Sequence, residues 1–165
     1  MLDTNAFDEI YDNRLGDELK LAVDAGRIRF FMTHIQQDEI AKMRDSNKRT
    51  YSQNAITSIP VEIIASSAGV FGTNKRTKHG FEGSRVGGFR FSGDTELLDS
   101  LKSTNSKNPM GKDADLLIAY TAVKENMNYL VTENVGNFAQ VVHQMNRKLG
   151  GNTTVIGLQS LAQMV

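Results

Sequence analysis

Three acids and one amide, each set at or near the edge of an apolar run, are the residues whose types could do chemistry together. They are Asp3 in MLDTN, Glu39 in THIQQDEI, Asp115 in KDADLLIAY and Asn134 in LVTEN. Carboxylates brought together repel one another, by roughly 4 kcal/mol per close pair at a surface-like dielectric. A hard divalent cation relieves that repulsion, and all-oxygen ligands select magnesium or manganese. Phosphate chemistry is the natural use of such a centre, because the ion orients the phosphodiester, activates a water and stabilises the leaving oxygen. Each residue also has a plainer role open to it. Asp3 suits the N-cap of a helix starting at Thr4, Glu39 a solvated helix edge, and Asn134 a simple turn. Thr4 and Asn5 either hold the Asp3 carboxylate by local hydrogen bonds or only shape the turn. Asp38 reads as the exposed neighbour of Glu39, and Asp113 as a cap on a different helix face from Asp115. His34, His79 and His143 show no metal-ligand spacing and receive no role.

Whether the acids meet depends on the elements that carry them. In the stretch 112–138, Leu116, Ala119, Ala122 and Val123 recur at spacings of three and four, which predicts a helix behind an Asp113 cap. Asp115 then sits in the first turn, where the helix dipole favours an ionised carboxylate. Asn126-Met-Asn breaks that helix, Tyr129 to Thr132 reads as a short buried strand, and a second amphipathic run begins near Val135. Its stripe of Phe138, Val141, Val142, Met145 and Leu149 ends at Gly150-Gly151. Helix, strand, helix is the repeating unit of a parallel α/β sheet, which places its chemistry at the carboxyl ends of the strands.

The rest of the chain follows the same pattern. MLDTN allows a very short strand ending at Asp3, and Phe7, Ile10 and Tyr11 follow at helical spacing. Asp17 to Ala25 is a helix closed by Gly26, and Arg27 to Met32 a strand. Thr33-His-Ile-Gln36 matches a capping box, with Ile35, Ile40 and Met43 as its apolar face. Arg44 to Tyr51 continues or restarts a helix, and Pro60 to Ala65 is a third strand. Asp94 caps a helix carrying Leu97, Leu98 and Leu101, and 103–111 is a polar linker. Thr153 to Ile156 and Leu158 to Met164 close the chain as strand and helix. On a parallel sheet, Asp3, Glu39 and Asp115 converge at one edge.

The segment 72–93 has another character. It holds six of the fourteen glycines and carries Lys75, Arg76, Lys78, Arg85 and Arg90 against the single acid Glu82. That glycine density predicts a long loop or ribbon. Its bases suit either a solvated loop or an RNA contact, with Phe81, Phe89 and Phe91 near enough in sequence to stack on unpaired bases.

Composition narrows the classes. A length of 165 residues fits one domain with its own core. Zero formal net charge means that any attraction to nucleic acid rests on local patches. The absence of cysteine excludes disulfides, thiolate metal sites and thiol nucleophiles. No apolar run approaches a membrane span and the opening residues form no signal peptide, so a soluble cytoplasmic protein is expected.

Taken in order, LDTN, an acid in the helix after the second strand, DLLIAY, and LVTEN followed by a phenylalanine resemble PIN-domain nucleases. The nearest likeness is to the ribonuclease toxins of VapC-type toxin–antitoxin pairs, and it covers most of the chain. The resemblance implies a three-layer α/β/α sandwich with a central parallel sheet, as one domain over 1–165 with a glycine-rich basic insertion at 72–93. It implies a magnesium- or manganese-dependent endoribonuclease, with Asp3, Glu39 and Asp115 as metal ligands and Asn134 as the fourth catalytic position. Many members carry Asp at that fourth position, so Asn134 weakens a second metal site. A cognate antitoxin and self-association are implied too. The alternative from another class is a PIN-like RNA- or protein-binding module with little or no turnover. A phosphoryl-transfer domain using Asp3 as nucleophile, like the haloacid-dehalogenase phosphatases, is disfavoured because their second aspartate, two residues on, is here Asn5.

Overall fold

Capping chemistry sets most of the element boundaries. The computed structural model describes residues 1–66 and 113–165. Helix α1 (Thr4–Asp12) follows the N-cap Asp3, and α2 (Gly16–Asp24) ends in a left-handed Gly26 at φ 68. There Gly26 N–H bonds to Val23 O at 2.8 Å and Arg27 N–H to Ala22 O at 3.0 Å, the Schellman pattern. That turn uses up Arg27, so strand β1 is Phe30–Thr33 rather than Arg27 to Met32. Thr33 ends the strand and also caps α3 (His34–Ala41) in the expected capping box with Gln36.

Helix α4 (Ser46–Ser58) restarts behind the Asp45 cap and runs past the expected Tyr51, leading into β2 (Val61–Ile64). Helix α5 (Asp113–Lys124) includes Asp113 as its first residue instead of beginning after it. Then come β3 (Tyr129–Val131), α6 (Val135–Leu149), β4 (Thr154–Ile156) and α7 (Leu158–Ala162). Gly150 closes α6 in the left-handed region at φ 72. The glycine-rich segment 72–93, the helix capped by Asp94 and the 103–111 linker lie outside the described residues.

The strands pair in parallel, β1 with β2 from Phe30↔Val61 to Thr33↔Ile64, and β3 with β4 from Tyr129↔Thr154 to Val131↔Ile156. The mixed α/β character is therefore as expected. The opening segment forms a bridge instead of a strand, Leu2 pairing in parallel with Val131. Val131 N–H donates to Met1 O and Asp3 N–H to Val131 O, both at 2.9 Å, while Leu2 N–H donates to Phe31 O at 2.9 Å. This short segment is thus bonded to both strand pairs.

Apolar side chains gather in two clusters. One joins Met1 and Leu130 to the buried faces of α5 and α6; the other joins Leu2 and Val131 to α1, α4, α7, Phe30 and Met32. Neighbouring residues feed opposite clusters at Met1/Leu2 and at Leu130/Val131, the period of two that extended backbone imposes. No helix among the described residues is long and apolar enough to cross a membrane.

Candidate functional site

Asp3 meets its partners because three backbone segments end beside it. Its N–H is bound to Val131 O, which leaves the side chain at the N-cap of α1 with φ −81 and ψ 162. Oδ1 accepts from the Thr4 N–H at 2.8 Å and Oδ2 from the Thr132 hydroxyl at 2.8 Å. Asp3 as a whole is only 4% exposed. Burial pushes its pKa above the ordinary value of 3.8, the bonds from Thr132 and Thr4 pull it back, and the charge of Glu39 pushes it up again. Each oxygen accepts one bond, so each keeps a lone pair for a further donor or a cation.

Glu39 is brought to this point by α3. The cap residue Gln36 is fully buried; its Oε1 accepts from Thr33 N–H at 2.9 Å and its Nε2 donates to Leu2 O at 2.9 Å. That bond ties the first turn of α3 to the opening segment, and Glu39, three residues further, lies on the same helix face. Its Oε2 accepts from the Thr4 hydroxyl. Thr4 therefore contacts both acids, Asp3 through its N–H and Glu39 through its side chain.

Thr132, fully buried just past β3, is the hub of the other side. Its oxygen accepts from Asn134 N–H at 3.1 Å and lies 3.1 Å from Asn5 Oδ1. The hydroxyl has one hydrogen, and the ionised Asp3 is the stronger acceptor for it. Asn5 Oδ1 is held independently by the Glu133 N–H at 3.1 Å. Glu133 in turn accepts the Leu158 N–H at 3.3 Å, fastening the start of α7 to the same turn.

The remaining expected residues differ in how they are placed. Asp115 is half-buried in the first turn of α5, and the charge that raises the Asp3 pKa comes from Glu39. Among the described residues no group of three or more His, Asp or Glu side chains is close enough to hold a metal ion. Asp3 and Glu39 are brought together, both through Thr4, and the three expected acids do not form such a group. Asn134 is exposed at the N-cap of α6, where its backbone N–H is bonded but its side chain makes no capping bond. Lys75, Arg76, Lys78, Arg85 and Arg90 lie outside the described residues. The sequence reading missed Thr132 and Gln36 as supports. Gln36 carried a signal in the capping box, whereas Thr132 carried none beyond its place at a strand end. The chain matches no family model, no curated protein and no solved structure.

Proposed function

We propose that the chain is a metal-dependent endoribonuclease with a PIN-like three-layer α/β/α arrangement, of the kind that serves as a toxin in toxin–antitoxin pairs. The observation that carries this reading is Asp3, a buried carboxyl gripped by two donors and pushed toward its neutral form by burial and by Glu39. Carboxyls under such opposed influences concentrate at functional sites. The layered arrangement draws support from the Leu2 bonds to both strand pairs, which favour the order β2, β1, opening segment, β3, β4. The two apolar clusters are its natural faces. In that order Asp3, Thr33 and Thr132 fall at the carboxyl ends of neighbouring strands, where open α/β sheets place their chemistry.

Asp3 and Glu39 offer hard oxygens of the kind magnesium and manganese take, and the resemblance adds Asp115 as a third. A bound ion supplies charge neutralisation and an activated water at the phosphodiester. The chain's own residues prepare the place. Thr132 and the Thr4 N–H hold Asp3 in one rotamer, Gln36 anchors α3, and the Thr4 hydroxyl orients Glu39. No protein nucleophile is required. A cognate antitoxin and self-association belong to the proposal on the resemblance alone, and a cytoplasmic location on the sequence's lack of a membrane-spanning run or signal peptide.

A second reading, a PIN-like binding module without turnover, is favoured by two observations: the described residues form no three-acid metal group, and position 134 is an amide. Cleavage of single-stranded RNA by purified protein, with and without magnesium or manganese, separates the two. Metal-dependent cleavage lost in Asp3→Asn supports the nuclease. RNA bound but never cut selects the binding module, and neither binding nor cleavage removes both.

A further inference from the structure

Beside Asp3, the carboxamide of Asn5 is used at one end only. Its oxygen lies 3.1 Å from the Glu133 backbone nitrogen and 3.1 Å from Thr132 Oγ1. A backbone N–H can only donate, so the atom it meets is Oδ1 and not the amide nitrogen. This assignment settles which end of the carboxamide faces the turn at 132–133 and leaves Nδ2, with its two N–H donors, at the other end. Among the described residues Nδ2 has no hydrogen-bond partner, and it is not sealed from solvent. A neutral donor anchored by its oxygen therefore stands one residue from Thr4, which contacts both Asp3 and Glu39, and beside Thr132, which grips Asp3.

We propose that Asn5 is a substrate-contact residue whose Nδ2 donates to a non-bridging phosphate oxygen of the RNA backbone at the Asp3–Glu39 pair. This rests on the ribonuclease reading. Phosphate approaching two carboxylates is repelled, and a donor at this place offsets part of that repulsion. A lysine would pair with the acids and compete with a cation for them; a neutral carboxamide donates without doing so. Its position in the first turn of α1 adds the positive end of the helix dipole.

The test uses fluorescence anisotropy with a labelled single-stranded oligouridylate, without divalent metal, on wild type and on an Asp3→Asn parent that binds without cutting. In that parent, Asn5→Ala weakens binding about tenfold, the loss expected for one hydrogen bond to an ionised partner. Asn5→Asp keeps the acceptor for Glu133 and melts like its parent, yet binds more weakly still, with an excess that shrinks as salt rises. A folded Asn5→Ala protein that binds as tightly as its parent overturns the inference and leaves the ribonuclease reading standing. Oligouridylate bound by neither wild type nor parent overturns both. If Asn5→Ala does not fold, the side-chain amide protons of Asn5 decide by NMR in the parent, identified by their loss in Asn5→Asp. Their resonances move on addition of the oligouridylate if Asn5 touches it, and unmoved resonances overturn the contact.

Discussion

Asp3 illustrates how a buried carboxyl at a candidate site can be a liability to the fold that carries it. Its raised pKa means that the folded protein binds the carboxyl proton more tightly than the unfolded chain does. Its contribution to stability is therefore fully present below the ordinary value of 3.8 and is lost as pH rises through the folded pKa. Asn at position 3 escapes that loss and keeps the bonds. Its oxygen still accepts the Thr4 N–H, its amide donates to Thr132 Oγ1, and the freed Thr132 hydrogen turns to Asn5. In metal-free buffer Asp3→Asn should thus melt at or above the wild-type temperature near neutral pH, with a gap that closes toward pH 3.8. A variant that melts lower at neutral pH would mark Asp3 as a structural cap before anything else. Thr132→Val makes the converse case: it strips a donor from Asp3 and an acceptor from Asn134 N–H in a fully buried place. A loss of about 1–3 kcal/mol in denaturant unfolding is expected. The sequence singled out Asp3 as the close of an apolar run ahead of a helix and Glu39 as a residue at the edge of an apolar helix face. Their shared contact through Thr4 follows from those placements. Thr132 was not legible, since its bond to Asp3 spans 129 positions of chain and nothing local encodes it.

At the scale of elements, the helices were readable where periodicity and caps agree. The Thr33 box, the Gly26 and Gly150 ends and the stripe on α6 all appear where the sequence puts them. Strand ends shifted because neighbouring turns claimed their residues, as the Schellman turn claims Arg27. The joining of two strand pairs through Leu2 left no sequence mark beyond one apolar residue. The turn after α6 shows the same dependence on tertiary contact. Asn146 brackets Thr153, donating to its carbonyl at 2.8 Å and accepting from its N–H at 3.1 Å, and thereby presses Gly151 against α5. A Cβ on Gly151 would come to 2.6 Å from Val123 Cγ1 and 3.2 Å from Val123 O. Gly151→Ala should therefore cost about 1–3 kcal/mol. Gly136, in the first turn of α6, has open space around its Cα, so Gly136→Ala should gain a few tenths to about 1 kcal/mol. Chemical denaturation of both variants checks the contrast, and equal effects would refute the packing at Gly151.

Across the whole molecule, metal and charge are the levers the proposed function must answer to. An ion that binds only the folded chain raises the melting temperature, by the equivalent of about 2.7 kcal/mol at a hundred times its dissociation constant. Magnesium should produce such a shift in wild type and none in the double variant Asp3→Ala, Glu39→Ala; its persistence there would put the ion elsewhere. Asp115→Ala measured separately reads whether the third acid joins them. Charge is distributed unevenly: 72–93 carries five bases and one acid, a net +4, so the remainder of this neutral chain is −4. Attraction to an RNA backbone must then come largely from Lys75, Arg76, Lys78, Arg85 and Arg90. If three or four of them meet phosphates on single-stranded RNA, the salt slope of binding includes a contribution of roughly −2 to −3. Raising salt from about 50 to 200 mM would then cost on the order of 20- to 50-fold in affinity through these residues. Replacing all five with Ser should flatten the slope by that amount while cleavage at saturating RNA survives, because Asp3 and Glu39 are untouched. Anisotropy titrations with metal omitted give the slope directly. An unchanged slope would remove these bases from RNA binding and leave the attraction to be found on the acidic remainder, where the charge balance opposes it.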